Sequence, residues 1–155
     1  MASSENTPGH PAISTLHVLV DTNVVLDLLL ARYPWLTDAQ PMWDAHDAGH
    51  LVVYLPASAL TDVYYVCRKL VGADRARQAV EACLQAFSIL AVNRVILSAA
   101  LSLPGRDFED NVQIACAQGA SLSLIVTRDI DGFAHSPILA VAPSDVLGRL
   151  AHPSP

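Results

Sequence analysis

The sequence predicts an α/β fold: a three-layer α/β/α sandwich on a central parallel β-sheet. Three observations predict it. Short apolar runs alternate with segments of helical character, the order of a parallel sheet covered on both faces. The runs are apolar almost throughout, as strands buried on both sides are. Two of them end in an aspartate, Asp21 and Asp129, at the edge where such sheets bind ligands.

Residues 16–21 read as the first strand, rich in Val and Leu, with Asp21 at its carboxyl end. Asp21, Thr22 and Asn23 offer cap-type side chains for a helix from about Val24 to Arg32, closed by Pro34. Thr37 or Asp38 can cap a second helix that stops at Gly49. Leu51 to Leu55 is a short strand closed by Pro56. Ser58 lies just ahead of a third helix, Ala59 to Val71, which Gly72 ends, and a fourth runs from Asp74 to Ala86. Phe87 to Val92 is a strand, and Val95 to Leu103 a short helix ended by Pro104-Gly105. Phe108 to Gln118 is a helix ended by Gly119, and Leu122 to Val126 an apolar strand with Thr127-Arg128-Asp129 at its exit. Ile138 to Val141 is the last strand, and Pro143-Ser144-Asp145 opens a terminal helix.

A length of 155 residues suits one domain, read as residues 16–150. Residues 1–15, largely polar, read as a flexible arm, and 151–155 as a short tail. The arm has neither the basic start nor the apolar centre of a signal peptide. Apolar residues make up 52% of the chain and mean hydropathy is +0.37, ample for a core. Yet no uninterrupted apolar run approaches the ~18 residues of a membrane span, and Asp27 breaks the longest. The three cysteines, Cys67, Cys83 and Cys116, lie in apolar helical contexts without metal spacing, which points to buried thiols in a reducing cytoplasm. The six histidines are scattered, with no zinc-type pair. The formal net charge of −6 argues against a polyanionic partner unless several carboxylates converge on a cation and reverse the local field.

Asp21, Asp62, Asp110 and Asp129 are candidates for such convergence. Asp21 and Asp129 stand at strand ends, Asp62 in the first turns of an apolar helix, and Asp107, Glu109 and Asp110 crowd another helix start. Each has an ordinary structural role as well: N-cap for Asp21, Asp107 and Asp129, and dipole matching for Asp62. Asp107 and Asp110 are three apart, so one helical face can carry both. If Asp21, Asp62, Asp110 and Asp129 met, they could not all stay ionised without counter-charge, since two charges ~4 Å apart repel by ~4 kcal/mol at an effective dielectric of 20. Oxygen-only ligands suit Mg²⁺ or Mn²⁺, and ions held this way serve phosphodiester hydrolysis. No phosphate-binding glycine loop and no Gly-x-Ser-x-Gly elbow is present.

VDTNVVLDLL, SALTDVYYVCRKL, DFEDNVQIACAQ and VTRDIDGF occur in the order found in PIN domains, the metal-dependent ribonuclease fold that includes VapC-type toxins. The resemblance covers Leu16 to about Leu150. It implies a PIN-like α/β/α sandwich with Asp21, Asp62, Asp110 and Asp129 as the catalytic and metal-binding acids, holding one or two Mg²⁺ or Mn²⁺ ions. It further implies supporting roles for Thr22, Asn23, Ser58 and Thr127. The family most often has Glu where Asp62 stands, one methylene longer. Asp107 competes with Asp110 for the third acidic position, and the run from Asp110 into a small-residue helix favours Asp110, leaving Asp107 as a cap or supporting acid. The implied activity is an endoribonuclease, the toxin of a toxin–antitoxin pair, with an RNA substrate, a small antitoxin partner and a homodimeric state. Arg106 and Arg128 flank two of the acids and are candidate RNA contacts, with ordinary solvation as their alternative. The competing readings are an inert PIN-like module that binds RNA or protein, a stand-alone RNA-processing nuclease, and a receiver-like domain. The last would need a lysine at a late strand end, and the single lysine, Lys69, is mid-helix.

Overall fold

The first strand, β1 (Leu16–Val20), lies at the centre of the sheet, and its residues account for the position. Val18, Leu19 and Val20 are all sealed from water. Val18 and Val20 pack into one hydrophobic core and Leu19 into another, because successive side chains of a strand face opposite sides. In this computed structural model residues 14–151 are described. The expected arm and tail lie outside that range, apart from Ser14, Thr15 and Ala151.

The other strands are β2 (Leu51–Pro56), β3 (Ser88–Leu90), β4 (Leu124–Val126) and β5 (Leu139–Val141). Their order is β3-β2-β1-β4-β5, and every pairing is parallel. The chain builds outward from β1 to β3 and then crosses to the other side of β1 for β4 and β5. Strand order therefore reverses between β1 and β4, where Leu19 stands opposite Ile125 and Val20 opposite Val126. A parallel sheet opens a ligand-binding crevice at the carboxyl edge of such a reversal.

Among the described residues seven helices follow in chain order: α1 (Thr22–Leu29), α2 (Trp35–Asp47), α3 (Ala57–Val71), α4 (Ala73–Ala86), α5 (Arg94–Leu101), α6 (Phe108–Gly119) and α7 (Val146–Ala151). The first four and α7 cover one face with Val24, Val25, Met42, Val63, Cys83 and Val146. On the other, α5 and α6 cover the sheet with Ala100, Val112, Ile114, Ala115 and Cys116 against Leu19 and Ile125. Small residues along α6 let its backbone approach the sheet. The predicted sandwich is therefore present, and all three cysteines are buried and free. No helix among the described residues is long and apolar enough to cross a membrane.

Several boundaries differ from the sequence expectation. Asp21 precedes a helix that begins at Thr22, not Val24, and its carboxylate makes no cap hydrogen bond, being held elsewhere. That helix stops at Leu29, short of Arg32, where the chain turns through Ala31 at φ +49°. The second begins at Trp35, ahead of Thr37 and Asp38, because Pro34 supplies a pre-set φ at the cap. Ser58 stands inside the first turn of α3 rather than before it, since the helix starts directly after Pro56. A short 3₁₀ turn at Pro143–Asp145 precedes α7, and an unanticipated one at Asp131–Phe133 follows β4.

Candidate active site

The answer to why a carboxylate ends a buried strand lies in its partners. Asp21 is 5% exposed. Its backbone N–H donates to the Val126 carbonyl at 2.8 Å, fastening the end of β1 to β4. Its Oδ1 accepts from Gln113 Nε2 at 3.1 Å and its Oδ2 from the Thr127 hydroxyl at 2.8 Å. These neutral donors satisfy the oxygens but leave the charge uncompensated.

Thr127 has a second duty. Its fully buried Oγ1 also accepts from the Asp129 N–H at 3.0 Å. One hydroxyl thus ties Asp21 to the exit of β4. Asp129 Oδ1 in turn accepts from the Gly132 N–H at 3.0 Å, in the turn after β4. A Cβ on Gly132 would collide with Asp129 Oδ2 and stand 3.3 Å from Asp110 Oδ2. The carboxylates of Asp110 and Asp129 therefore crowd the same space over Gly132.

Asp110 reaches that space from the first turn of α6. The cap of this helix is Asp107, whose Oδ1 accepts from the N–H groups of Glu109 at 2.9 Å and Asp110 at 3.2 Å. Burial, then the negative charges of Asp107, Asp21, Asp129 and Glu109, push the Asp110 carboxyl up from 3.8 to about 7. Glu109 is also raised, by burial first and then by Asp62, Asp107 and Asp21. The Thr22 hydroxyl eases this a little; it lies near Glu109 without meeting hydrogen-bond geometry. Asp62 is raised by burial, offset in part by a hydrogen bond with Glu109. Asp62 thus joins the group through Glu109, a residue the sequence motifs did not select.

A cleft of about 400 Å³ opens here, lined by Arg106, Asp107, Asp110, Asp129, Asp131 and His135, among others. Its wall is braced by Asn111, which accepts from His135 Nε2 at 3.0 Å and donates to the Gly105 carbonyl at 2.9 Å. Of the predicted supporting residues, Thr127 binds Asp21 directly, and Thr22 is buried near Glu109. Asn23 is exposed on α1 and Ser58 half-buried on α3. Arg106 is exposed at the rim of the cleft. Arg128 is not at that rim as a free cation: it pairs with buried Asp27, its Nε 2.7 Å from Oδ2. That pairing gives Arg128, expected as an RNA contact, an anionic partner within the chain. Gln113 was also missed, although a glutamine on the apolar face of α6 signals a buried partner.

Among the described residues, no three His, Cys, Asp or Glu groups already stand as a ready-made metal-ligand set. The donor chemistry nevertheless fits a hard divalent cation. The crowded donors are carboxylate oxygens, the cleft-lining His135 being engaged by Asn111, and burial followed by its acidic neighbours raises Asp110 to about 7. A larger groove of about 540 Å³ between α3 and α4 is lined by Leu60, Tyr64, Tyr65 and Leu84 and contains none of these aspartates. Chemistry rather than volume identifies the acidic cleft as the functional candidate.

Comparison with known proteins agrees with this architecture. A family model described as PIN domain matches residues 17–131. No curated protein matches the chain. Among solved structures, Mycobacterium tuberculosis VapC20, described as a sarcin-ricin loop cleaving toxin, is 17% identical with a TM-score of 0.65, over 80% of this chain and 98% of that one. A toxin–antitoxin complex from Klebsiella pneumoniae is 24% identical with a TM-score of 0.61, over 81% and 97%. The DNA-bound VapBC of Salmonella typhimurium is 14% identical with a TM-score of 0.66, over 83% and 99%.

Proposed function

The chain belongs to the PIN domain family, and from that premise we propose that it is a divalent-metal-dependent endoribonuclease, hydrolysing RNA phosphodiester bonds as the toxin of a toxin–antitoxin pair. One observation carries the reading. Asp21, Asp110 and Asp129 gather where strand order reverses, and their mutual charge helps raise Asp110 to about 7. Such a group calls for a cation.

Asp21, Asp110 and Asp129 would hold one or two Mg²⁺ or Mn²⁺ ions, with Asp62 at the margin through Glu109. When bound, an ion of this kind activates water and neutralises charge developing on the phosphate. The protein's own residues prepare the site. Gln113 and Thr127 fix the orientation of Asp21, and Gly132 fixes that of Asp129. Asp110 would have to give up its proton to hold a cation, because a ligating carboxylate must be ionised. Arg106, exposed on the rim, is the basic side chain placed to meet an RNA phosphate.

The toxin assignment draws on two solved structures of similar fold, one described as a sarcin-ricin loop cleaving toxin and one as a toxin–antitoxin complex. It brings with it a small antitoxin that covers the acidic cleft, a homodimeric state and a cytoplasmic setting. Cleavage of a mixed-sequence structured RNA is expected with Mg²⁺ or Mn²⁺, not with EDTA, and not by Asp21→Asn. Cleavage that survives EDTA or the substitution refutes the metal-site reading. A second reading, a PIN-like module that binds without cutting, is favoured by one feature: no three of the acids stand in ligand geometry among the described residues. RNA binding without cleavage under any metal would select it.

A further inference from the structure

The turn Thr127-Arg128-Asp129 faces two ways. Thr127 and Asp129 serve the acidic cleft, whereas Arg128 reaches away from it to α1 and α2. Its target on α1 is the carboxylate of Asp27, 1% exposed, and burying such a polar group is costly without a partner. Arg128 Nη2 donates to Asp27 Oδ1 at 3.3 Å, and Nε stands 2.7 Å from Oδ2, an ion pair without full hydrogen-bond alignment. Arg32 is the more distant cation, its Nη1 3.8 Å from Oδ1. On α2, the Trp35 ring lies 4.1 Å from the Arg128 guanidinium carbon. A planar fork held at one edge by a carboxylate and on one face by an aromatic ring has little freedom left.

We propose that Asp27, Arg128 and Trp35 form a clamp that sets the aim of Asp129 in the acidic cleft, so that Arg128 is a positioning residue and not an RNA contact. The proposal rests on the nuclease reading of that cleft. The backbone of Arg128 is continuous with that of Asp129, whose N–H and carboxylate are already engaged by Thr127 and Gly132. Loosening the guanidinium frees the third support of the same turn. Lysine keeps the charge but has neither the fork nor the flat face.

The test uses the full chain as wild type, Arg128→Lys, Arg128→Ala and Trp35→Leu. Mn²⁺ affinity is read by electron paramagnetic resonance, melting temperature by circular dichroism, and RNA cleavage kinetics at several salt concentrations. Arg128→Lys is expected to stay folded, to bind Mn²⁺ about tenfold more weakly and to lose about tenfold in kcat. Its KM for RNA and its salt dependence are expected to be unchanged. Trp35→Leu should show a smaller loss in the same direction, and it carries the test with Arg128→Lys where Arg128→Ala fails to fold. A raised KM with a shallower salt dependence would identify Arg128 as a phosphate contact and overturn the clamp. So would folded variants with wild-type Mn²⁺ affinity and kcat beside an active wild type. A wild type that neither binds Mn²⁺ nor cuts RNA overturns the nuclease reading and the clamp with it.

Discussion

Asp110 keeps its proton up to about pH 7 in the cation-free protein, well above its ordinary value of 3.8. A carboxyl raised by folding binds more protons in the native state, so its stabilising contribution is full below 3.8 and is lost as pH rises through about 7. The raised carboxyls of Asp62 and Glu109 act in the same direction. Taken whole, the Asp110 shift corresponds to about 4 kcal/mol, and solvent screening of a half-exposed group reduces this to about 1–2 kcal/mol. Thermal unfolding in EDTA should therefore show Asp110→Asn melting about 2–8 °C above wild type at pH 8 and close to it at pH 5. A variant less stable than wild type at pH 8 would contradict the crowding of charge described here. Gly132 offers a steric counterpart. Gly132→Ala brings a Cβ against Asp129 Oδ2, so RNA cleavage should fall about tenfold or more, with undiminished cleavage as the contrary result.

Helix α6 carries both its cap, Asp107, and the raised carboxyl of Asp110 in one turn, and the two roles can be separated. Asp107→Ser keeps an oxygen for the N–H groups of Glu109 and Asp110 while removing a charge that raises Asp110. The Asp110 carboxyl should then titrate at lower pH by carbon-13 NMR, with the helix intact. Asp107→Ala removes the cap as well and should cost about 1 kcal/mol in urea unfolding. In β1, Leu19→Ala empties a fully buried site against α6 and should cost about 2–5 kcal/mol. Elements of this kind were legible in the sequence because their signals are local: apolar strands, Asp107 before a helix, Gly72 and Pro56 at boundaries. The misplaced ends of α1, α2 and α3 lie where a proline or a direct strand-to-helix step decided the start, and side-chain capping preference pointed a few residues away.

Across the whole molecule, a chain of net charge −6 gathers several carboxylates at one crevice, and under the proposed function a cation would have to intervene there before an anionic substrate could approach. The sheet makes that crevice by reversing its strand order between β1 and β4, and the sequence announced it through Asp21 and Asp129 at strand exits. Pairings across long separations were not legible. Gln113 with Asp21, Glu109 with Asp62 and Arg128 with Asp27 depend on how β4 and α6 fold back onto β1 and α1, and no periodicity records them. Magnesium titration calorimetry on cation-free wild type and Asp21→Asn at pH 6, below the value of about 7 to which the Asp110 carboxyl is raised, tests the central claim most directly. Saturable Mg²⁺ binding by wild type, accompanied by proton release and weakened about tenfold or more in Asp21→Asn, is the predicted result. No saturable binding by wild type, or equal binding by both proteins, would contradict it.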